Sequence, residues 1–421
     1  MEKFIVHGGK TLAGSVNISG SKNASLPILA ATLLTREQCV IRRVPDVSDT
    51  NYMLQILQNL GAEVERASGN VVIKCEKLRS EAPYDLVRKM RASVCVMGPL
   101  LARHNRADVS LPGGCVIGDR PIDLHLRGLE GLGAEARVEG GNVHLEARYG
   151  LTGKVIDMSG KHGATVLGTD NVMMAAVLAK GTTVITGAAC EPEVVDLANF
   201  LIAMGAKISG AGTPRIEIEG VNELGGVEHT VIPDRIEAGT FMVAGAMAAK
   251  ESITLKRIVP EHLSCITEVL RRCGCTVETT KSTLTVHRAE KPVGANITTE
   301  PYPGFPTDMQ AQMCSLFAVT SGTSVVRDTI FPQRFMHAAE MKRMGANIEV
   351  NDGTAVIQGV EQLSAAPVMA SDLRASAALV LSALTAKGNT EISRVYHIDR
   401  GYEHIDEKLI NLGAEIERLP A

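Results

Sequence analysis

Tryptophan is missing from this 421-residue chain, and large rings are few, with 7 phenylalanines and 6 tyrosines. A core so poor in rings must be built from Ala, Val, Ile, Leu and Met, with Gly permitting close approach of backbones. An excess of charge is lacking too. Lys and Arg number 43 against 47 Asp and Glu, and a net charge of -4 argues against a surface that coats polyanions. The 45% of hydrophobic residues argues equally against a disordered chain. No stretch reaches the roughly 18 uninterrupted apolar residues of a membrane helix. The opening Met1-Glu2-Lys3-Phe4-Ile5-Val6 runs straight into a strand-like pattern, without a basic segment followed by an apolar one, so a cytoplasmic protein is expected. Nine cysteines form an odd set without the regular pairing of a disulfide scaffold, which points to a reducing compartment and to mostly buried thiols. A P-loop, a dinucleotide fingerprint and a His-Glu-x-x-His pair are all absent.

What is present is a repeat. The pattern Leu57-Gln58-Asn59-Leu60-Gly61-Ala62-Glu63-Val64 recurs around Gly133, Gly205, Gly274, Gly345 and Gly413, the glycines lying 72, 72, 69, 71 and 68 residues apart. Apolar residues spaced three apart, then a glycine, then an alternating run describe a helix that ends in a left-handed glycine and feeds a strand. About 24 residues upstream of most of these glycines comes an Ala/Leu-rich helix, a small turn and a β-rich run, as in Val177 to Ile185, Ala318 to Val326 and Leu384 to Ile392. A period of roughly 70 residues is too long for the common solenoids, so each repeat is read as a complete α/β subdomain. Six such units in two lobes of three predict an α/β protein, with the chain crossing between lobes near Val231-Ile232-Pro233-Asp234-Arg235. The expected division is a first lobe of residues 22–232, carrying a loop at 111–121, and a second of residues 1–21 plus 233–421.

Four segments break the repeat grammar. Ile18-Ser19-Gly20-Ser21-Lys22-Asn23-Ala24-Ser25 is a small polar loop opening an apolar helix, where backbone amides and a lysine make an anion site, or where Ser and Asn merely cap beside a solvated Lys22. Leu111-Pro112-Gly113-Gly114-Cys115-Val116-Ile117-Gly118-Asp119-Arg120-Pro121 is expected, from its glycines and prolines, to be a mobile, exposed loop carrying a thiol near a cation, where its pKa can fall, or else an incidental cysteine. Pro303-Gly304-Phe305-Pro306-Thr307-Asp308 brings an aspartate to a helix start, where capping alone is the plainer explanation. Ser371-Asp372-Leu373-Arg374-Ala375-Ser376 and Tyr396-His397-Ile398-Asp399-Arg400-Gly401-Tyr402 place four charges beside small residues at helix starts, for which surface ion pairing is the plainer explanation. Cys273-Gly274-Cys275 lacks a second ligand pair and fits core packing better than zinc.

Taken together, these segments resemble the UDP-N-acetylglucosamine enolpyruvyl transferase family over the whole chain, through Gly20-Ser21-Lys22-Asn23, Arg88-Lys89-Met90-Arg91-Ala92-Ser93, Leu111-Pro112-Gly113-Gly114-Cys115, Arg120-Pro121-Ile122-Asp123-Leu124-His125, Pro233-Asp234-Arg235-Ile236-Glu237, Phe305-Pro306-Thr307-Asp308-Met309-Gln310 and Arg334-Phe335-Met336-His337, with Asp372, Arg374 and Arg400 completing the match. The resemblance implies an inside-out α/β barrel of two domains with three repeats each, substrate between the lobes and the Cys115 loop as a lid. It implies transfer of the enolpyruvyl group of phosphoenolpyruvate to the 3′-hydroxyl of UDP-N-acetylglucosamine, with release of phosphate. Lys22, Arg120 and Arg400 are then the donor's cationic clamp, with Asn23 and Arg374 near it. Cys115 is the proton donor and forms a covalent adduct derived from phosphoenolpyruvate, while Asp308 accepts the proton of the attacking hydroxyl; Lys22 and Arg400 complete the catalytic set. Nucleotide-sugar contacts carry over to Arg91, Arg120, Pro121, Ile122, Asp123, Leu124, Asp308 and Ile330, and by register to Gly163, Ala164, Thr165 and Val166. That last stretch departs from the family, which presents a lysine there; Lys161 or His162 is the alternative holder of the diphosphate. No cofactor or metal is implied, because the arginines and lysine balance the phosphate charge.

Two other readings compete. The sister transferase acting on shikimate 3-phosphate shares fold and donor, but its glycine-rich lid lacks the cysteine. A catalytically dead scaffold of six repeats is opposed by the intact Lys22, Cys115, Asp308 and Arg400.

Overall fold

The computed structural model describes residues 2–82, 84–111, 122–161 and 163–420. They divide into two compact units, one built from residues 2–19 and 233–420, the other from residues 20–111 and 122–232. Each unit contains three four-stranded sheets of one design. In the sheet of Ile297–Thr299, Thr323–Asp328, Thr354–Gln358 and Asn347–Asn351, the first two strands are parallel and the remaining pairs antiparallel. The parallel pair is joined through the helix Gln310–Phe317, the long crossover that parallel strands require.

Two kinds of helix follow from two hydrophobic patterns. Lys22–Ala31, Met97–His104, Val166–Ala176, Arg235–Ala248, Gln310–Phe317 and Leu373–Thr385 are apolar around most of their circumference and bury most of their residues. Small residues let them approach. A Cβ at Gly98 would lie 2.4 Å from the carbonyl oxygen of Asn171, and the Gly98 amide donates to Asn171 Oδ1 at 2.9 Å. Six further helices, Ser48–Asn59, Asp123–Gly131, Pro192–Ala203, Ser264–Arg272, Met336–Arg343 and Ile405–Asn411, are amphipathic and keep exposed residues on one face. Each ends as the repeat requires. Gly61, Gly133, Gly205, Gly274, Gly345 and Gly413 all have φ between 86° and 109°, and the amide after each glycine returns to the carbonyl five residues back, from Ala62 to Leu57 through Ala414 to Leu409. This is the Schellman closure, and a residue with a Cβ is strained at the glycine. Cys273 and Cys275 flank one of these glycines inside the apolar core.

The regularity hides an exchange. Strand Leu12–Asn17 pairs in parallel with Ala249–Lys256, yet the chain leaves it for helix Lys22–Ala31 of the other unit. Conversely, Glu228–Thr230 pairs in parallel with Cys39–Arg42 and then leads to helix Arg235–Ala248. The N-terminal strand Glu2–His7 sits between Asn389–Ser393 and Glu415–Pro420, antiparallel to both, and so completes the last repeat. Among the described residues no helix is long and apolar enough to cross a membrane.

Candidate active site

In the unit of residues 2–19 and 233–420 the buried helices bring their N-terminal ends to one cluster of charge. Asp234 caps Arg235–Ala248 by accepting from the amides of Ile236 and Glu237, and Asp372 caps Leu373–Thr385 by accepting from Ala375. Asp308 behaves differently. It lies in the turn Thr307–Met309, which has no side-chain cap, and its carboxylate turns to arginines instead: Oδ1 accepts from Arg334 Nη1 at 2.8 Å, and Oδ2 lies 3.6 Å from Arg374 Nε. Arg334 also reaches Asp372 Oδ2 at 3.3 Å, and Arg374 Nη2 lies 3.8 Å from Asp234 Oδ2. The expectations of simple capping at Asp308 and of surface ion pairing at Asp372 and Arg374 therefore give way to a buried network, with Arg374 2% and Asp372 8% exposed.

Burial opposes the charge of Arg334, but Asp372 and Asp308 outweigh it and hold the guanidinium above its usual range. Burial likewise opposes the charge of Arg374, and Tyr402, Asp234 and Asp308 outweigh it. Two donors of Arg374, Nε and Nη2, nevertheless make no hydrogen bond among the described residues. A fully buried guanidinium with unmet N–H groups is costly unless an anion comes to it, and the nearby carboxylates keep it charged and oriented. The turn carrying Asp308 is fixed by Asp328, which accepts from Thr307 Oγ1 at 2.7 Å, from Thr299 Oγ1 at 2.8 Å and from the amides of Ile330 and Phe331 at 3.0 and 2.8 Å. Ile330 is thereby anchored beside the same turn. Arg400 lies half-buried beyond the short helix Val395–His397; burial and then the Arg400 charge hold His397 below its ordinary range.

In the other unit, Lys22 opens helix Lys22–Ala31, whose cap is Ser21 Oγ accepting from the Ala24 amide at 3.2 Å. Ser21 caps as expected, but Lys22 is not solvated: its side chain is 13% exposed, and Nζ lies 3.4 Å from Oδ2 of the buried Asp49. Asn23 follows on the first turn, half-buried. Arg91 begins the short helix Arg91–Val96. Ile122, Asp123 and Leu124 form the start of helix Asp123–Gly131, with Asp123 exposed. They meet the predicted diphosphate stretch. Gly163–Ala164 pairs with Ser159–Gly160 as a hairpin, a Cβ at Gly160 would lie 2.9 Å from Leu124 Cδ1, and Arg127 Nη2 donates to the carbonyls of Asp157 and Ser159 at 2.7 and 2.8 Å. Thr165 then caps helix Val166–Ala176 by accepting from the Gly168 amide. Lys161 is exposed.

Cys115, Arg120, Pro121 and His162 lie outside the described residues. The other eight cysteines are free thiols, and all eight titrate above their ordinary value, in each case chiefly through burial; Cys39 is pushed up to about 11 and Cys273 to about 12. None of them is an activated nucleophile. Reading the sequence had assigned no role to Asp49, Asp328 or Gln312, nor to Arg334 within its motif. Most of their side-chain partners lie far off in sequence, from 21 residues for Thr307 and Asp328 to 90 for Gln312 and Tyr402, although an arginine set between Pro332 and an apolar run hints at burial.

The family model described as EPSP synthase (3-phosphoshikimate 1-carboxyvinyltransferase) matches residues 6–409. A curated relative from Akkermansia muciniphila, named UDP-N-acetylglucosamine 1-carboxyvinyltransferase, is 66% identical over 100% of this chain and 99% of its own length. The chain belongs to the UDP-N-acetylglucosamine 1-carboxyvinyltransferase family. A relative of the same name from Myxococcus xanthus is 51% identical over 99% of both chains. Among solved structures, the enolpyruvyl transferase NikO from Streptomyces tendae matches with TM-score 0.91 at 26% identity, covering 100% of this chain and 99% of that one. An EPSP synthase from Acinetobacter baumannii matches with TM-score 0.75 at 19% identity, covering both chains fully, which speaks for the fold alone. The inside-out α/β architecture is that of the enolpyruvyl transferases, and the chain is a transferase.

Proposed function

We propose that this protein transfers the enolpyruvyl group of phosphoenolpyruvate to the 3′-hydroxyl of UDP-N-acetylglucosamine, releasing phosphate, as the first committed step of peptidoglycan synthesis in the cytoplasm. The observation that carries the reading is the 66% identity, end to end, to a relative of that name. The geometry around Asp308 supports it. A carboxylate held by Arg334 at 2.8 Å keeps one oxygen turned toward Arg374 and is suited to take the proton of the attacking hydroxyl. Arg374, with two unmet donors, suits the donor's carboxylate or phosphate, together with Lys22, Asn23, Arg120 and Arg400. In this reading Cys115 protonates C3 of phosphoenolpyruvate while the sugar oxygen adds to C2. The tetrahedral intermediate then loses a proton from C3 and expels phosphate, leaving the enol ether. Arg91, Arg120, Pro121, Ile122, Asp123, Leu124, Gly163, Ala164, Thr165, Val166, Asp308 and Ile330 receive the nucleotide sugar.

Phosphate release measured with each acceptor tests the reading. Release with UDP-N-acetylglucosamine and none with shikimate 3-phosphate is expected; the reverse would overturn it. The thiol offers a second test. Because the eight described thiols are all raised by burial, an epoxide phosphonate such as fosfomycin should alkylate Cys115 selectively, and Cys115→Asp should stay active and resist it. Label spread over several cysteines in a mass map would contradict the assignment.

A further inference from the structure

We propose that Tyr402 is a positioning residue for donor recognition, acting through Arg374; the proposal rests on the reading of Arg374 as a partner of the donor's anionic groups. The Arg374 guanidinium lies over the Tyr402 ring, 4.9 Å from its centroid, and Nη1 donates to the carbonyl of Gly401 at 3.3 Å. A cation over an aromatic face is held without a hydrogen bond from Nε or Nη2, which face Asp308 and Asp234 at 3.6 and 3.8 Å and form none among the described residues. The platform is itself fixed. Thr240 Oγ1 reaches the carbonyl of Ile236 at 2.8 Å, shares a hydrogen bond with the Tyr402 hydroxyl at 2.9 Å and accepts from Gln312 Nε2 at 3.2 Å. The Tyr402 oxygen then accepts from Gln312 Nε2 at 3.1 Å. The same Gln312 nitrogen reaches the carbonyl of Asp308 at 2.9 Å, so one amide ties the ring beneath Arg374 to the turn that carries the carboxylate.

The packing leaves little slack. A Cβ at Gly401 would lie 2.4 Å from Leu373 Cδ2, so the segment carrying Tyr402 rests directly on the first turn of the Arg374 helix. Tyr402 is 2% exposed, and burial raises its hydroxyl above the ordinary range, which keeps the ring neutral. An arginine side chain has many rotamers, and removing that freedom before the donor arrives is where such a platform gains affinity.

The experiment compares Tyr402→Leu, Tyr402→Phe and Gln312→Met in the full chain, reading KM for phosphoenolpyruvate, KM for UDP-N-acetylglucosamine and kcat, with Kd for phosphoenolpyruvate alone by calorimetry. Tyr402→Leu should raise the donor KM and Kd by about tenfold or more with a smaller change in kcat and an unaltered acceptor KM. Tyr402→Phe, which keeps the ring, should recover most of that loss, and Gln312→Met should raise the donor KM by a few fold. Equal changes in both KM values, no rescue by phenylalanine, or an unaltered donor KM in Tyr402→Leu would overturn the proposal. Should Tyr402→Leu fail to fold, an unaltered donor KM in Gln312→Met overturns it, and a rise confined to the donor supports it. A wild-type protein that binds phosphoenolpyruvate but releases no phosphate with UDP-N-acetylglucosamine would count against the functional reading, while the Kd series still decides the role of Tyr402.

Discussion

Helices Leu373–Thr385 and Lys22–Ala31 begin alike, each with a side-chain oxygen capping the first turn, but different groups gather at the two starts. Around Asp372 and Arg374, three carboxylates and two guanidiniums interlock, and the arginines are 2% and 6% exposed in their side chains. At the other start, Lys22 Nζ lies 3.4 Å from Oδ2 of the buried Asp49, a longer contact. The first arrangement fixes its groups before any ligand arrives, which suits proton transfer at a set position. The second presents a compact ammonium on a flexible stem, which suits holding a phosphate whose position changes during reaction. The same buried helix start, repeated through the fold, thus carries either an interlocked set of carboxylates and guanidiniums or a lysine on a flexible stem, depending on which groups pack around it.

The strongest way to break this comparison is Asp308→Asn. The amide keeps the shape but is a poor base, so turnover should fall by about 10²–10⁴-fold while substrate affinity is preserved. Lost affinity with retained turnover would make Asp308 a positioning group and erase the contrast. At the other end, Lys22→Gln should lower kcat/KM for phosphoenolpyruvate by roughly 10–10³-fold, the scale of one charge-assisted hydrogen bond, with the acceptor KM less affected. An equal loss in both would show that Lys22 supports structure instead.

A smaller effect sharpens the account of burial beside Asp372. His337 is 1% exposed, neither ring nitrogen has a hydrogen-bond partner among the described residues, and burial lowers its pKa from 6.5 to about 4. Above pH 6.5 the ring is neutral folded or unfolded and contributes nothing to pH dependence. Below it the unfolded chain binds a proton that the folded chain refuses until about pH 4, so stability is lost as pH falls through that window. Between pH 7 and 5 the wild type should lose about 2 kcal/mol more than His337→Gln in urea unfolding. Parallel losses would show that His337 titrates normally.

The helix ends were legible because their signal is local: a glycine at positive φ and a leucine or methionine five residues before the closing amide lie within one window of sequence. The exchange of strands was not. Leu12–Asn17 finds its partner only at Ala249–Lys256, and edge strands such as Glu81–Ala82 and Val368–Met369 are two residues long, too short to carry an alternation. The site divides in the same way. Lys22, Asp308, Arg374 and Arg400 stood out as charges among small residues, whereas the pairing of Arg334 with Asp372 spans 38 residues and emerges only when two helix starts pack together. Tyr402 was hidden for a different reason, since its function depends on facing a cation rather than on its own chemistry.

The central claim is addition followed by elimination at the enolpyruvyl carbons. Running the reaction in D₂O with phosphoenolpyruvate and UDP-N-acetylglucosamine, then weighing the product, tests it most directly. Protonation of C3 makes a methyl group that carries solvent deuterium, and elimination removes only one of its three hydrogens, so the enol ether product should contain deuterium in its vinyl group. An ether product free of deuterium, or no ether product at all, would contradict the account.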